Sequence, residues 1–321
     1  MSKSFSAFGL AVGALALTCL PAAAQTKVTS EGISASEIVV GTHQDLSGPI
    51  KGWGVPVANG MKMATEEVNA AGGINGRKIN FISYDDAYSP PKAIEQARKL
   101  VESDEVLLIF NSLGTPPNSA IHKYMNSKKV PQLFVATGAT KWNDPKDFPW
   151  TMGWQPSYAS EARIYAKYVM KEKPDARIGV LYQNDDYGKD YLKGFKDGLG
   201  AKAASMIVSE DSYEVSEPTI DSHIVRLKAS GADVFMNITT PKFAAQAIKK
   251  NAELGWKPLH FLNNVSGSIG SVIKPAGFEN AQDIISSQYF KDPTDAQWKD
   301  DAAMIGWNQF LDKYYPEANR A

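Results

Sequence analysis

Cysteine is nearly absent: the 321 residues hold one, Cys19. A lone thiol excludes an internal disulfide. The four histidines, His43, His122, His223 and His260, never fall in H-x-x-x-H or H-E-x-x-H spacing, which argues against a metal site. Charge of one sign is missing too. A net charge of −1 gives no basic footprint for nucleic acid. There is no G-x-S-x-G nucleophile elbow and no G-K-[ST] after a glycine loop. Gly72 to Gly76 follows a helical pattern rather than a strand, so a dinucleotide fingerprint fails in context. No segment after the first two dozen residues approaches the ~20 apolar residues that span a bilayer.

What is present begins with a leader. Lys3 precedes an apolar run over residues 8–20, and Pro21-Ala22-Ala23-Ala24 offers an A-x-A site. This pattern predicts a secretory signal peptide over residues 1–24, cleaved after Ala24, and hence a periplasmic location. The run is too short for a comfortable membrane span. Cleavage would remove the only cysteine. Lipid attachment at Cys19 is disfavoured by Thr18 directly before it.

The length predicts two domains. Strands are expected at 37–43, 78–84, 106–110 and 131–136, with an extended piece at 150–154. Helices are expected at 57–71, with Met61, Ala64, Val68 and Ala71 on the inner face, at 90–102 and at 119–127. This βαβα rhythm predicts a parallel sheet covered on both faces. The rhythm then restarts, with helices at 158–172, 191–199, 218–229 and 241–254. The matching strands fall at 177–182, 204–209, 232–238 and 259–262, with a strand-like piece at 284–289 and a helix at 302–314. The fold class is therefore α/β, with two doubly wound parallel-sheet lobes joined by a hinge. Lobe 1 spans 36–154 and lobe 2 spans 155–288. Residues 289–321 return to lobe 1, with crossings near 155–157 and 288–291.

Chemistry-bearing groups collect at strand ends. Residues 106–119, VLLIFNSLGTPPNS, run from a buried strand through a Gly/Thr/Pro turn into a helix start, where free N–H groups favour an anion. Ligands of open α/β sheets bind beyond such carboxyl ends. Trp53, Gly114, Thr115, Gly138, Ala139, Thr140, Tyr187, Thr239, Thr240 and Asn264 all fall there. Neutral hydrogen-bonding groups with aromatics and no evident base suit binding without chemistry. Asp85-Asp86 reads as a solvated strand end and Asp185-Asp186 as a turn.

Residues 37–54 (EIVVGTHQDLSGPIKGWG), 66–76 (EEVNAAGGING), 111–119, 134–140 (FVATGAT) and Tyr187-Gly188 resemble the leucine/isoleucine/valine-type periplasmic binding proteins of ABC importers. The resemblance implies a ligand held between two lobes and a membrane permease as partner. It implies no cofactor, a monomer and no enzymatic activity. It places Trp53 against the ligand's apolar end and Gly114-Thr115 on its carboxylate. Gly138-Ala139-Thr140 would be the next contact, with Tyr187 and the Thr239-Thr240 turn closing from lobe 2. The acid that meets an amino-acid ammonium in this family falls near Asn264-Val265, and neither is an acid. A buried ammonium without a partner is costly, so the expected guest is a small carboxylate without one. The G-T-P-P-N and F-V-A-T-G-A-T-K-W wording resembles an aromatic-acid subgroup. Branched-chain or other amino-acid binding, or sensing on the same fold, is the alternative. Against this family the chain looks short, which predicts a truncated C-terminus.

Overall fold

The computed structural model describes residues 31–318. The leader and Cys19 lie outside the described residues. In the first half run β1 (Glu37–Gln44), α1 (Lys51–Ala70), β2 (Lys78–Asp85), α2 (Pro90–Arg98), β3 (Leu108–Phe110), α3 (Thr115–Lys128), β4 (Gln132–Val135) and β5 (Thr151–Gly153). The strands form one sheet in the order β2-β1-β3-β4-β5, every pair parallel. The second half holds α4 (Tyr158–Glu172), β6 (Ile178–Gln183), α5 (Asp186–Leu199), α6 (Ala203–Met206), β7 (Ile207–Tyr213), α7 (Asp221–Ala229), β8 (Val234–Ile238), α8 (Pro241–Glu253) and β9 (Leu259–Leu262). Its sheet runs β7-β6-β8-β9, again parallel. α9 (Lys274–Ala276) and α10 (Ala302–Tyr314) follow. Two doubly wound parallel sheets are thus present, as the rhythm of apolar runs predicts.

The chain crosses between the sheets just after β5. It crosses back after a single parallel bridge between Phe261 and Ile285. Trp307 and Leu311 of α10 then share a groove with Val55 and Met63 of α1. The strand expected at 284–289 is therefore one bridge rather than a strand.

Four boundaries differ from expectation for identifiable reasons. α3 begins at Thr115, because Pro116 and Pro117 occupy its first turn, where a missing N–H costs nothing. α1 begins at Lys51 and buries Gly54, Ala58 and Met63, while Ala64 and Ala71 are exposed. Gly54 sets that rotation: a Cβ there would lie 1.9 Å from the Asp45 carbonyl oxygen, so the helix docks backbone to backbone. β7 covers Ile207–Tyr213 instead of 204–209, as Ala203–Met206 forms a helical turn. An edge strand with a half-solvated, polar sequence lacks the apolar run that marks a central strand. α5 starts at Asp186, capped by Asp185, whose side chain accepts from the Tyr187 and Gly188 N–H groups.

Candidate functional site

A doubly wound sheet offers a crevice where strand order reverses. In the first sheet β1 lies between β2 and β3; in the second β6 lies between β7 and β8. Residues from both reversal points meet around one cavity of fifteen lining residues, none charged. The first sheet contributes Ile50, Trp53, Tyr88, Leu113, Gly114, Thr115 and Ala136. The second contributes Tyr158, Tyr187, Thr240, Asn264 and Val265, and the crossings add Gln155, Tyr289 and Phe290. The space between these residues, counted together with its opening to solvent, is about 490 Å³. The two halves are drawn closely together.

Side-chain bonds hold that closure. Trp53 Nε1 donates to the Val265 carbonyl at 2.8 Å, and Gln183 Nε2 donates to the Tyr88 hydroxyl at 3.3 Å. At the rim, Lys141 Nζ meets Asp186 Oδ2 at 2.8 Å, and Ser119 Oγ donates to the same oxygen at 3.2 Å. The bond from Lys141 outweighs burial and holds Asp186 below the usual carboxylate range. Thr140 Oγ1 donates to Asp190 Oδ1 at 2.6 Å.

The loop after β1 is held from within. Asp45 accepts from the Gly48 and Ile50 N–H groups at 2.5 and 2.7 Å. Burial raises its carboxyl despite those bonds. Asp85 accepts from the Leu46 N–H at 2.9 Å and from Ser47 Oγ at 2.6 Å. Asp86 is fully buried and bonds His43 Nδ1 at 2.6 Å and the Tyr88 N–H at 2.7 Å. The acidic pair is thus not a solvated strand end. It fixes a turn in which Ala87 and Tyr88 take φ values of 50° and 58°, unusual for residues with a Cβ. That strained turn delivers Tyr88 to the cavity.

Of the residues read from strand ends, Trp53, Gly114, Thr115, Tyr187, Thr240 and Asn264 come together in the lining. Gly138, Ala139, Thr140 and Thr239 do not. Gly138 is packed against the Pro156 carbonyl and the Tyr158 ring. Ala139 and Thr140 line an outer groove with Asp186 and Asp190. The Thr239 carbonyl accepts from Tyr187 and Asn263, and its hydroxyl donates to Asn237 Oδ1 at 2.6 Å. The expected row of free N–H groups at the start of α3 is reduced by Pro116 and Pro117. The Asn118 N–H is taken by the Gly114 carbonyl at 3.2 Å. Tyr88, Tyr158, Tyr289, Phe290 and Gln155 were not singled out by sequence. Four of them lie beside the two expected crossings, and that clustering of aromatics at a hinge is the signal they carried.

Hydrogen directions follow from valence. Thr137 Oγ1 accepts from the Ala139 N–H at 3.2 Å and from Trp142 Nε1 at 3.3 Å. Its 2.6 Å bond to Thr115 Oγ1 can run in either direction. The Tyr88 hydroxyl accepts from Gln183 and keeps its own hydrogen. Gln155 Oε1 is a buried acceptor without a partner among the described residues. Tyr187, in contrast, is committed: its hydroxyl contacts Asn263 Oδ1 at 3.0 Å and the Thr239 carbonyl at 3.1 Å.

Among the described residues no helix is long and apolar enough to cross a membrane, and no cluster of three potential metal ligands occurs. The chain is similar to the leucine-specific-binding protein of Salmonella typhimurium, 29% identical over 208 residues, which are 64% of this chain and 54% of that protein. It therefore spans about half the length of that relative. It is 26% identical over 275 residues to Leu/Ile/Val-binding protein homolog 7 of Brucella abortus, covering 81% of this chain and 66% of that one. A possible leucine/isoleucine/valine-binding protein from Rhodopirellula baltica shares the fold at TM-score 0.75 and 20% identity, over 91% of this chain and 78% of that chain. A fatty acid ABC transporter substrate-binding protein from Thermomonospora curvata does so at TM-score 0.76 and 22% identity, over 90% and 72%. A family model described as periplasmic binding protein matches residues 37–320, and the chain belongs to that family.

Proposed function

We propose that this protein is the extracytoplasmic solute receptor of an ABC importer, which captures a small carboxylate, an aromatic acid by preference, between two lobes and delivers it to the membrane permease. The observation that carries this reading is the cavity's composition: six aromatic rings and no charged group among fifteen lining residues. The Thr115 and Tyr88 hydroxyls line the cavity and suit a carboxylate, and hydrogen bonds to a charged group are worth more than neutral ones. Trp53, Tyr158 and Phe290 offer faces and edges to a ring. Gln155 Oε1 suits a hydroxyl at the guest's far end. No acid lines the cavity to neutralise an ammonium. Closure is a hinge motion favoured by the guest's tighter binding to the closed form.

Branched-chain amino acids are the second reading, favoured by the names of the relatives. Calorimetric titration with benzoate, 4-hydroxybenzoate and leucine decides between the two. Aromatic acids are expected to bind, with leucine at least tenfold weaker. Tight leucine binding with no response to aromatic acids would overturn the preference.

A further inference from the structure

One buried acid has no part in the reading above. Glu161, in the first turn of α4, is 6% exposed and forms no ion pair among the described residues. Such a carboxylate must be held by hydrogen-bond donors. It has three. The Tyr165 hydroxyl donates to Oε1 at 2.7 Å, the Asn264 N–H donates to Oε1 at 2.8 Å, and the Tyr191 hydroxyl donates to Oε2 at 2.7 Å. Each donor belongs to a different part of the wall. Asn264 lines the cavity itself. The Tyr191 ring stacks on the lining residue Tyr158 with centroids 4.6 Å apart. The Tyr165 hydroxyl also accepts from the Ser287 N–H at 2.9 Å, and it lies 2.9 Å from Ser287 Oγ. Two and three residues beyond Ser287, Tyr289 and Phe290 enter the lining.

We propose that Glu161 is the positioning residue of the cavity's second wall: one buried carboxylate fixes the Asn264 turn, the Tyr191–Tyr158 stack and, through Tyr165, the return segment that carries Tyr289 and Phe290. It touches no guest. It sets the places of groups that do, so its loss acts on affinity even where folding survives. This rests on the cavity being the binding site, but one arm of the test does not.

That arm is amide hydrogen exchange on the full chain without ligand. In E161Q and in Y165F, exchange is expected to speed up at residues 262–267 and 285–290 in E161Q, and at 285–290 in Y165F. The first sheet and β6 should stay protected. Unchanged exchange at those segments, or a uniform rise across the whole second half, would overturn the proposal. Y165F, which removes only one hydroxyl, carries this arm should E161Q fail to fold. The second arm is benzoate titration well below each variant's melting midpoint. At least a tenfold loss is expected in E161A, partly recovered in E161Q, whose amide oxygen can still accept from the Asn264 N–H. Wild-type affinity in both variants would overturn the proposal. A wild-type protein that binds no benzoate defeats the aromatic-acid reading alone, and the exchange result still stands.

Discussion

The two sheets share a topology but are covered differently. The second is packed on both faces. Ile178 and Val180 of β6 face α4 and α5, while Leu181 and Phe235 join a separate cluster with α7 and α8. The first is covered by α2 and α3 on one face, but on the other α1 covers only the β1–β2 end. Ala93, Ala97, Leu100, Ile109, Ile121 and Met125 form its core against α2 and α3. Asn126 of α3 donates to Thr151 of β5, so Met152, next along the strand, takes the opposite face, where it is 50% exposed. Trp154 beside it is 64% exposed. The same contrast runs through the cavity. On the second wall Tyr187, Thr240 and Asn264 are already bonded into networks. On the first, Tyr88 keeps its own hydrogen, and the Thr115 hydroxyl bonds only Thr137 among the described residues.

The sharpest break of that comparison is a pair of side-chain truncations. Phe235→Ala removes a fully buried ring from the doubly covered sheet and is expected to cost ~3–5 kcal/mol. Met152→Ala, at the open end of the first sheet, should stay within ~0.5 kcal/mol. Denaturant unfolding of both variants tests the contrast, and equal losses would erase it. Next in size is recognition. Thr115→Val keeps the shape and removes a hydroxyl that lines the cavity, so carboxylate affinity should fall about 10- to 100-fold, the worth of one hydrogen bond to a charge. Tyr187→Phe removes a hydroxyl already committed to the protein, so its loss should appear first in the melting temperature. If the two variants change affinity equally, the division between the walls is wrong.

Much of this was legible in sequence, and the physical reasons differ by residue. Apolar runs bounded by turns located the central strands of both sheets. Burial on both faces leaves no polar alternation to confuse them. Trp53, Thr115 and Tyr187 were legible because strand ends at a reversal point face the crevice. Thr140 sits at an equally good strand end, yet it bonds Asp190 across the rim. That depends on how close the halves come, which no local pattern encodes. Tyr88 was hidden by a left-handed turn that ordinary residues rarely adopt. Glu161 was hidden because an acid on an amphipathic helix reads as its wet face.

The remaining contrast is electrostatic. Burial pushes Asp185 of the second half up to about 6, against the bonds from Gln183 and the helix N–H groups. A carboxyl raised in the folded state binds more protons there than in the unfolded chain. Its contribution therefore weakens stability as pH rises from about 4 through about 6, and restores it on acidification. Asp185→Asn keeps the helix cap and removes this titration. The variant should gain melting temperature relative to wild type at pH 7 and lose that advantage at pH 4.5; an equal difference at both values would put the titration elsewhere.

The smallest expected effect lies at the rim. Lys141 and Asp186 are both partly exposed, 36% and 54% at the side chain, and such pairs contribute ~0–1 kcal/mol and weaken in salt. Lys141→Met should leave folding unchanged and shift closure slightly toward the open form, by an amount that shrinks at high salt. Small-angle scattering at two salt concentrations, with and without benzoate, reads this directly. A shift that persists unchanged at high salt would mean that Lys141 acts by packing over the Trp142 ring, 5.4 Å away, rather than by its charge.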